Sequence, residues 1–217
     1  MADLSSIRRR MADRIARRGI RDARVLDALR AIPREAFVDP ADQAAAYEDR
    51  PLPIGERQTI SQPFIVALMM EAAEIAPQDQ VLEIGAGSGY AAALLGQIAG
   101  SVHAVERHGN LARQAKHRIA ALGLQNIAIH TGDGTKGWPA AAPYDVILVA
   151  AAAREVPPSL IDQLTPGGRL IIPIGAEDGP QWLMKYVRSP DGGVTVRDLG
   201  EVRFVPLIPG ETPTQQS

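Results

Sequence analysis

Val81-Leu82-Glu83-Ile84-Gly85-Ala86-Gly87-Ser88-Gly89-Tyr90 is the stretch that decides the fold. Val81 to Ile84 is a short apolar run of the kind that forms a buried strand. Gly85 to Gly89 then turns the chain, and Ala91 to Ile98 reads as a helix. A strand, a glycine turn and a helix in direct succession form the opening unit of a nucleotide-binding α/β sheet, with the turn at the carboxyl end of the first strand. Glycines there let the backbone come close to a ligand and leave amides free at the helix start.

The same alternation continues toward the C-terminus. Val102 to Glu106 is a second strand, and Leu111 to Leu122 a helix. Ile127 to Ile129, Val146 to Val149 and Leu170 to Ile174 supply further strands. Strands separated by helices predict a doubly wound, mostly parallel sheet with helices on both faces. Beyond Gly175 the pattern turns β-rich, with strands expected at Trp182 to Val187, Val194 to Val196 and Val202 to Leu207.

Toward the N-terminus the pattern is different. Leu4, Ile7, Met11 and Ile15 recur at helical spacing, as do Val25, Leu26, Leu29 and Ile32 after Gly19. Two amphipathic helices ending at Pro33 are expected. This segment, residues 1–34, carries ten arginines against four aspartates, which reads as a solvated helix face. Residues 35–60 read as an irregular loop punctuated by Pro40, Pro51, Pro53 and Gly55. Ser61-Gln62-Pro63 then opens a helix, with serine as its expected cap. The whole is read as one domain, 1–217: N-terminal helices and an active-site loop over 1–60, a cofactor-binding core over 61–175, C-terminal strands over 176–208 and a flexible tail over 209–217.

Composition bounds the chemistry. The chain has 217 residues, 46% of them hydrophobic, and a formal charge of −2, which offers no overall attraction for nucleic acid or an anionic membrane. There is no cysteine, which excludes disulfides and thiolate chemistry and fits a reducing compartment. No apolar stretch suits a signal peptide or a membrane span, so a cytoplasmic protein is expected. His103, His108, His117 and His130 show no ligand spacing, so no metal site is expected.

Glu83-Ile84-Gly85-Ala86-Gly87-Ser88-Gly89 has the spacing E-x-G-x-G-x-G, with Tyr90 where a dinucleotide fingerprint would carry its third glycine. Glu106 closes the second strand, where a carboxylate can accept both hydroxyls of a ribose. Gly132-Asp133-Gly134 follows the third strand, suited to an adenine amino group. Three such features at successive strand ends resemble the class I, Rossmann-like S-adenosylmethionine methyltransferases; an NAD enzyme is the poorer match. The fourth strand runs into Ala150-Ala151-Ala152-Ala153, which lacks the polar motif of base-amino methyltransferases.

Ala46-Tyr47-Glu48-Asp49-Arg50-Pro51-Leu52-Pro53-Ile54-Gly55 and Gln58-Thr59-Ile60-Ser61-Gln62-Pro63 resemble the signature of the protein-L-isoaspartate O-methyltransferases. The likeness runs on through Pro166-Gly167-Gly168-Arg169-Leu170 to Arg203-Phe204-Val205-Pro206-Leu207. It departs at Arg57, where glycine is expected, and at Ala153, where proline is common. The resemblance implies a repair enzyme. Its methyl donor is S-adenosyl-L-methionine, its product S-adenosyl-L-homocysteine, and its acceptor the α-carboxylate of isoaspartyl and, less well, D-aspartyl residues in proteins and peptides. It also implies Ser61 as the catalytic residue. The expected cofactor contacts are Gln58, Thr59, Ile60, Ser61, Glu83, Gly85, Gly87, Gly89, Glu106, Asp133 and Gly134. Ile54, Thr59, Ser61, Val205 and Pro206 are the expected substrate contacts, and the enzyme is expected to be a monomer without nucleic-acid or membrane partners.

Overall fold

The computed structural model describes residues 3–210; residues 211–217 of the expected tail lie outside the described part. Seven strands form the central sheet: β3 (Gln80–Ile84), β4 (Ser101–Glu106), β5 (Ile127–Thr131), β6 (Tyr144–Val149), β7 (Leu164–Gly175), β8 (Gln181–Arg188) and β9 (Val194–Val202). Their spatial order is β5-β4-β3-β6-β7-β8-β9. The first five are parallel, and β8 and β9 follow β7 as antiparallel neighbours. The chain winds outward from β3 in one direction and then, from β6, in the other. The carboxyl end of β3 is therefore the topological switch point, where ligands bind in open α/β sheets.

The strands read clearly because the sheet interior is dry. Val81, Leu82, Glu83 and Ile84 are all buried in β3, and β6 buries Val146 to Val149. By contrast β9 is almost wholly exposed, as an edge strand can be.

Helices α1 (Leu4–Arg17), α2 (Ala23–Ala31), α3 (Pro63–Ala73), α4 (Tyr90–Gly96) and α5 (Gly109–Ala121) share one face of the sheet, packing on Val81, Val102, Ala104, Val146 and Ile171. The short α6 (Pro158–Asp162) and the segment around Trp138 cover Leu82, Ile147, Leu170 and Ile172 on the other. Asp3 and Asp22 cap α1 and α2 through their side chains.

Three local expectations are corrected. Residues 35–60 are not an open loop: two 3₁₀ turns (Arg34–Phe37, Pro40–Ala45) precede a hairpin of β1 (Leu52–Gly55) and β2 (Gln58–Ile60). Leu52, Ile54 and Ile60 point inward, an alternation too short to stand out among prolines. The hairpin turn is Glu56-Arg57, with φ of 51° and 57°, where glycine or asparagine is the usual signal. The second correction concerns Ser61, which is not the cap of α3. Gln62 occupies that position without a side-chain bond, and Asp49 Oδ1 accepts the Phe64 amide at 3.0 Å. The third concerns residues 202–207, which do not continue as a strand. β9 stops at Val202, and Pro206, lacking an amide, makes only an isolated parallel bridge to Ala152.

Candidate active site

The site is assembled around the β3 turn. Gly87 has φ +53° and donates its amide to Glu106 Oε2 at 2.8 Å. Glu106 Oε1 accepts the His108 amide, also at 2.8 Å, so this buried carboxylate is held by two backbone donors. A carboxylate has about four acceptor sites, which leaves capacity for a pair of hydroxyls. A Cβ on Gly134 would lie 2.4 Å from Ile84 Cγ2, so glycine is required to bring the chain after β5 against the end of β3.

Glu83 is the electrostatic anomaly. It is 2% exposed, and its Oε2 has no hydrogen-bond partner. Burial, with the Glu106 charge second, pushes its pKa well above the ordinary carboxylate value. An orphaned acidic oxygen on the wall of a cleft is a site for a cationic donor such as an ammonium group.

Three clefts meet here. The first is bounded by Ser61, Val66, Met70, Glu83, Gly85 and Tyr90. The second runs between Gln58, Glu106, His108, Gly134 and Leu207. The third opens between Pro51, Gln62 and Ile65 on one side and Arg203, Phe204 and Val205 on the other. Thr59 and Ala150 border all three, while Ser61 borders the first and third. The first two suit the amino-acid and nucleoside ends of one elongated ligand. The third reaches their junction from outside.

Most expected contacts converge on these walls. Gln58, Gly85, Gly87, Glu106 and Gly134 border the second cleft, and Ile60 and Glu83 border the first. Val205 borders the second and third, whereas Pro206 borders the second alone. Gly89, Asp133 and Ile54 border none of the three. At Gly89 a Cβ would meet Ala115 Cβ at 3.0 Å, so this glycine lets α4 approach α5. Asp133 spends its Oδ1 on the Thr135 amide and hydroxyl, 3.0 and 2.7 Å away. Ile54 supports the turn from below, its Cδ1 lying 3.1 Å from where a Gly87 Cβ would sit.

The two departures from the family pattern have separate accounts. Arg57 is exposed at the hairpin tip and borders none of the three clefts. Ala153 donates its amide to Pro173 O at 3.0 Å, a bond that proline could not make.

Several residues of the site carried no signal in the sequence. Val66, Met69 and Met70 looked like ordinary helix core yet border the first cleft. Ala150 looked featureless, and its role is to be small where three clefts join. Gln181 is buried, accepts the Phe204 amide at 2.7 Å and donates to the Phe204 carbonyl at 3.2 Å, fixing the outer wall of the third cleft.

Residues 6–212 match the family profile "Protein-L-isoaspartate(D-aspartate) O-methyltransferase (PCMT)". The chain is 53% identical over 197 residues to the protein-L-isoaspartate O-methyltransferase of Rhodopseudomonas palustris (strain ATCC BAA-98 / CGA009), covering 91% of this chain and 90% of that one. It is 52% identical over 214 residues to the protein of that name from Roseiflexus sp. (strain RS-1), covering 99% and 97%. A crystal structure from Plasmodium falciparum, described as a putative protein-L-isoaspartate O-methyltransferase in complex with S-adenosyl-L-homocysteine, superposes with a TM-score of 0.80 at 25% identity, covering 93% and 98%.

Proposed function

From the premise that the chain belongs to the protein-L-isoaspartate(D-aspartate) O-methyltransferase family, we propose that it repairs proteins by methylating isoaspartyl residues. The methyl group goes from S-adenosyl-L-methionine to the α-carboxylate of L-isoaspartyl, and of D-aspartyl, residues in damaged proteins and peptides. The observation that carries this reading is the meeting of three clefts at Thr59 and Ala150, with Ser61 on the wall where the outer cleft joins the first.

The residues fit the cofactor. Glu83 would hold the methionine ammonium, Glu106 the ribose hydroxyls, and Gly134 would let the adenine lie against the sheet end. When bound, S-adenosylmethionine supplies an electrophilic methyl group whose sulfur departs as a neutral thioether. The chain's own contribution is positional. A carboxylate acceptor is already ionised near pH 7, so no general base is needed. Ser61 would donate a hydrogen bond to one carboxylate oxygen and aim the other along the line of attack. Val205 and its neighbours would border the peptide. Phe204 is pinned by Gln181, and the Ala152 amide donates to the Val205 carbonyl at 2.8 Å, so that wall is preorganised. Closing the peptide over Thr59 would strip water from the carboxylate.

All three clefts are built from one chain, and we take the monomer as the working unit. Among the described residues no helix is long and apolar enough to cross a membrane. The cysteine-free composition supports action in the cytoplasm.

The deciding experiment supplies methyl-labelled S-adenosylmethionine with paired peptides containing isoaspartate or aspartate. A base-labile methyl ester on the isoaspartyl peptide alone is expected. Equal labelling of both peptides, or of neither while the cofactor binds, would overturn the assignment.

A further inference from the structure

We propose that Asp49 is a positioning residue for Ser61, acting from outside the clefts. The inference rests on the function proposed above. A helix that opens with proline has one fewer amide to satisfy, because Pro63 has none. The first free amide of α3 is that of Phe64, and Asp49 Oδ1 accepts it at 3.0 Å. Gln62, the residue at the cap position, makes no side-chain bond. Asp49 thus does from a distance of 15 residues what the neighbouring serine would otherwise do. The Ser61 hydroxyl is thereby left out of the helix cap and free for a ligand.

Asp49 is itself held. Its Oδ2 pairs with the Arg18 guanidinium, which extends from the residue capping the end of α1. The same guanidinium lies 3.7 Å over the Phe64 ring, so Arg18, Asp49 and Phe64 form a closed triangle. That triangle ties the C-terminus of α1, the chain entering β1 and the N-terminus of α3 to one point. Residues 50–63 form a loop closed at its base by the Asp49–Phe64 bond. The loop carries Pro51, Thr59, Ser61 and Gln62, all of which border the third cleft. Asp49 borders none of the three, so its effect on the reaction is exerted through the loop it closes.

The test is a double-mutant cycle of Asp49→Ala and Ser61→Ala. It reads kcat and KM on an isoaspartyl peptide, S-adenosylhomocysteine affinity by calorimetry, and the melting temperature. With Ser61 present, Asp49→Ala is expected to lower kcat on the order of 10–100-fold, the effect of misaligning a reacting pair by about an ångström. Cofactor affinity should stay within about threefold: the loop also carries Gln58, Thr59 and Ile60 on the cofactor walls, but pairing with β1 holds these three without Asp49. In the Ser61→Ala background the same change should cost less than about twofold, since both act through one hydroxyl. Asp49→Asn retains an oxygen for the Phe64 amide but loses the ion pair with Arg18, so it should recover only part of the rate. The inference is overturned if the two losses multiply, if Asp49→Ala leaves kcat unchanged, or if its loss follows weakened cofactor binding. Should Asp49→Ala not fold, Arg18→Met loosens the same carboxylate at a partly exposed side chain. A drop in kcat that requires Ser61 then supports the role, and none overturns it. Wild-type turnover of the peptide is the separate check on the function itself: if that fails, the assignment falls, whereas multiplying losses in an active enzyme sink only the role of Asp49.

Discussion

At the scale of single residues, the roles proposed for Ser61 and Glu83 each make a separable prediction. Ser61→Ala removes a hydrogen bond to a charged acceptor, which is worth about 1.5–3 kcal/mol, so kcat/KM should fall on the order of 10–100-fold. S-adenosylhomocysteine affinity measured by calorimetry should change little. Glu83 makes the second prediction. In the ligand-free protein, burial and then Glu106 raise its pKa above the unfolded value of 4.5. The folded state therefore holds a proton that the unfolded chain has lost, and stability declines as pH rises from 4.5 to the raised value. An ammonium beside Glu83 reverses the balance, so cofactor binding should release a proton, and affinity should climb with pH across the same window. Calorimetry in two buffers of different ionisation enthalpy measures that proton directly. Glu83→Gln should abolish the release, weaken binding by roughly tenfold or more, and raise the melting temperature of the ligand-free protein at neutral pH.

At the scale of elements, the β1–β2 hairpin is where local sequence and final structure disagree most. Glu56 and Arg57 occupy the left-handed region without being glycine or asparagine. Glu56 is anchored there, its Oε1 accepting from Asn110 Nδ2 at 3.0 Å across to the start of α5. Arg57, exposed and at φ 57°, has no such anchor among the described residues. Arg57→Gly should therefore stabilise the protein by about 1 kcal/mol in urea unfolding: the left-handed strain, roughly 1–2 kcal/mol, outweighs glycine's extra unfolded-state entropy. Peptide turnover should be unchanged, since Arg57 borders none of the clefts. The same disagreement explains why the hairpin was not legible. A turn sequence of Glu-Arg carries no turn signal, and Leu52, Ile54 and Ile60 are too few to define a period.

At the scale of the whole molecule, the first two clefts, proposed to hold the cofactor, bring together three separately coded regions. The hairpin brings Gln58 and Thr59, the sheet brings Glu83, Glu106 and Ala150, and the C-terminal segment brings Val205 and Leu207. A ligand there should stiffen all three at once. At S-adenosylhomocysteine concentrations near 100 times Kd, linkage adds about 2.7 kcal/mol, which for a chain of this size raises the melting temperature on the order of 5–10 °C. Scanning calorimetry at graded ligand concentrations measures it, and a single cooperative transition that moves as one would mark the three regions as one folding unit. Two transitions, only one of them ligand-dependent, would separate the C-terminal strands from the core.

The amino-acid sequence alone determined the alternation of strands and helices, the position of the β3 turn, and the acids at the ends of β3 and β4. Each is written in neighbouring residues: a parallel strand covered on both faces is mostly apolar, which makes its acids conspicuous, and a tight turn with left-handed backbone favours glycine. Tertiary structure alone decided what those parts are used for. It separated Gly87, which holds Glu106, from Gly89, which only packs α4 on α5. It moved the cap of α3 from Ser61 to Asp49, and fixed the outer wall of the third cleft through Gln181, 23 residues from the Phe204 it binds. Hydrogen bonds and burial between distant residues depend on how the chain returns on itself, and no local pattern records that return.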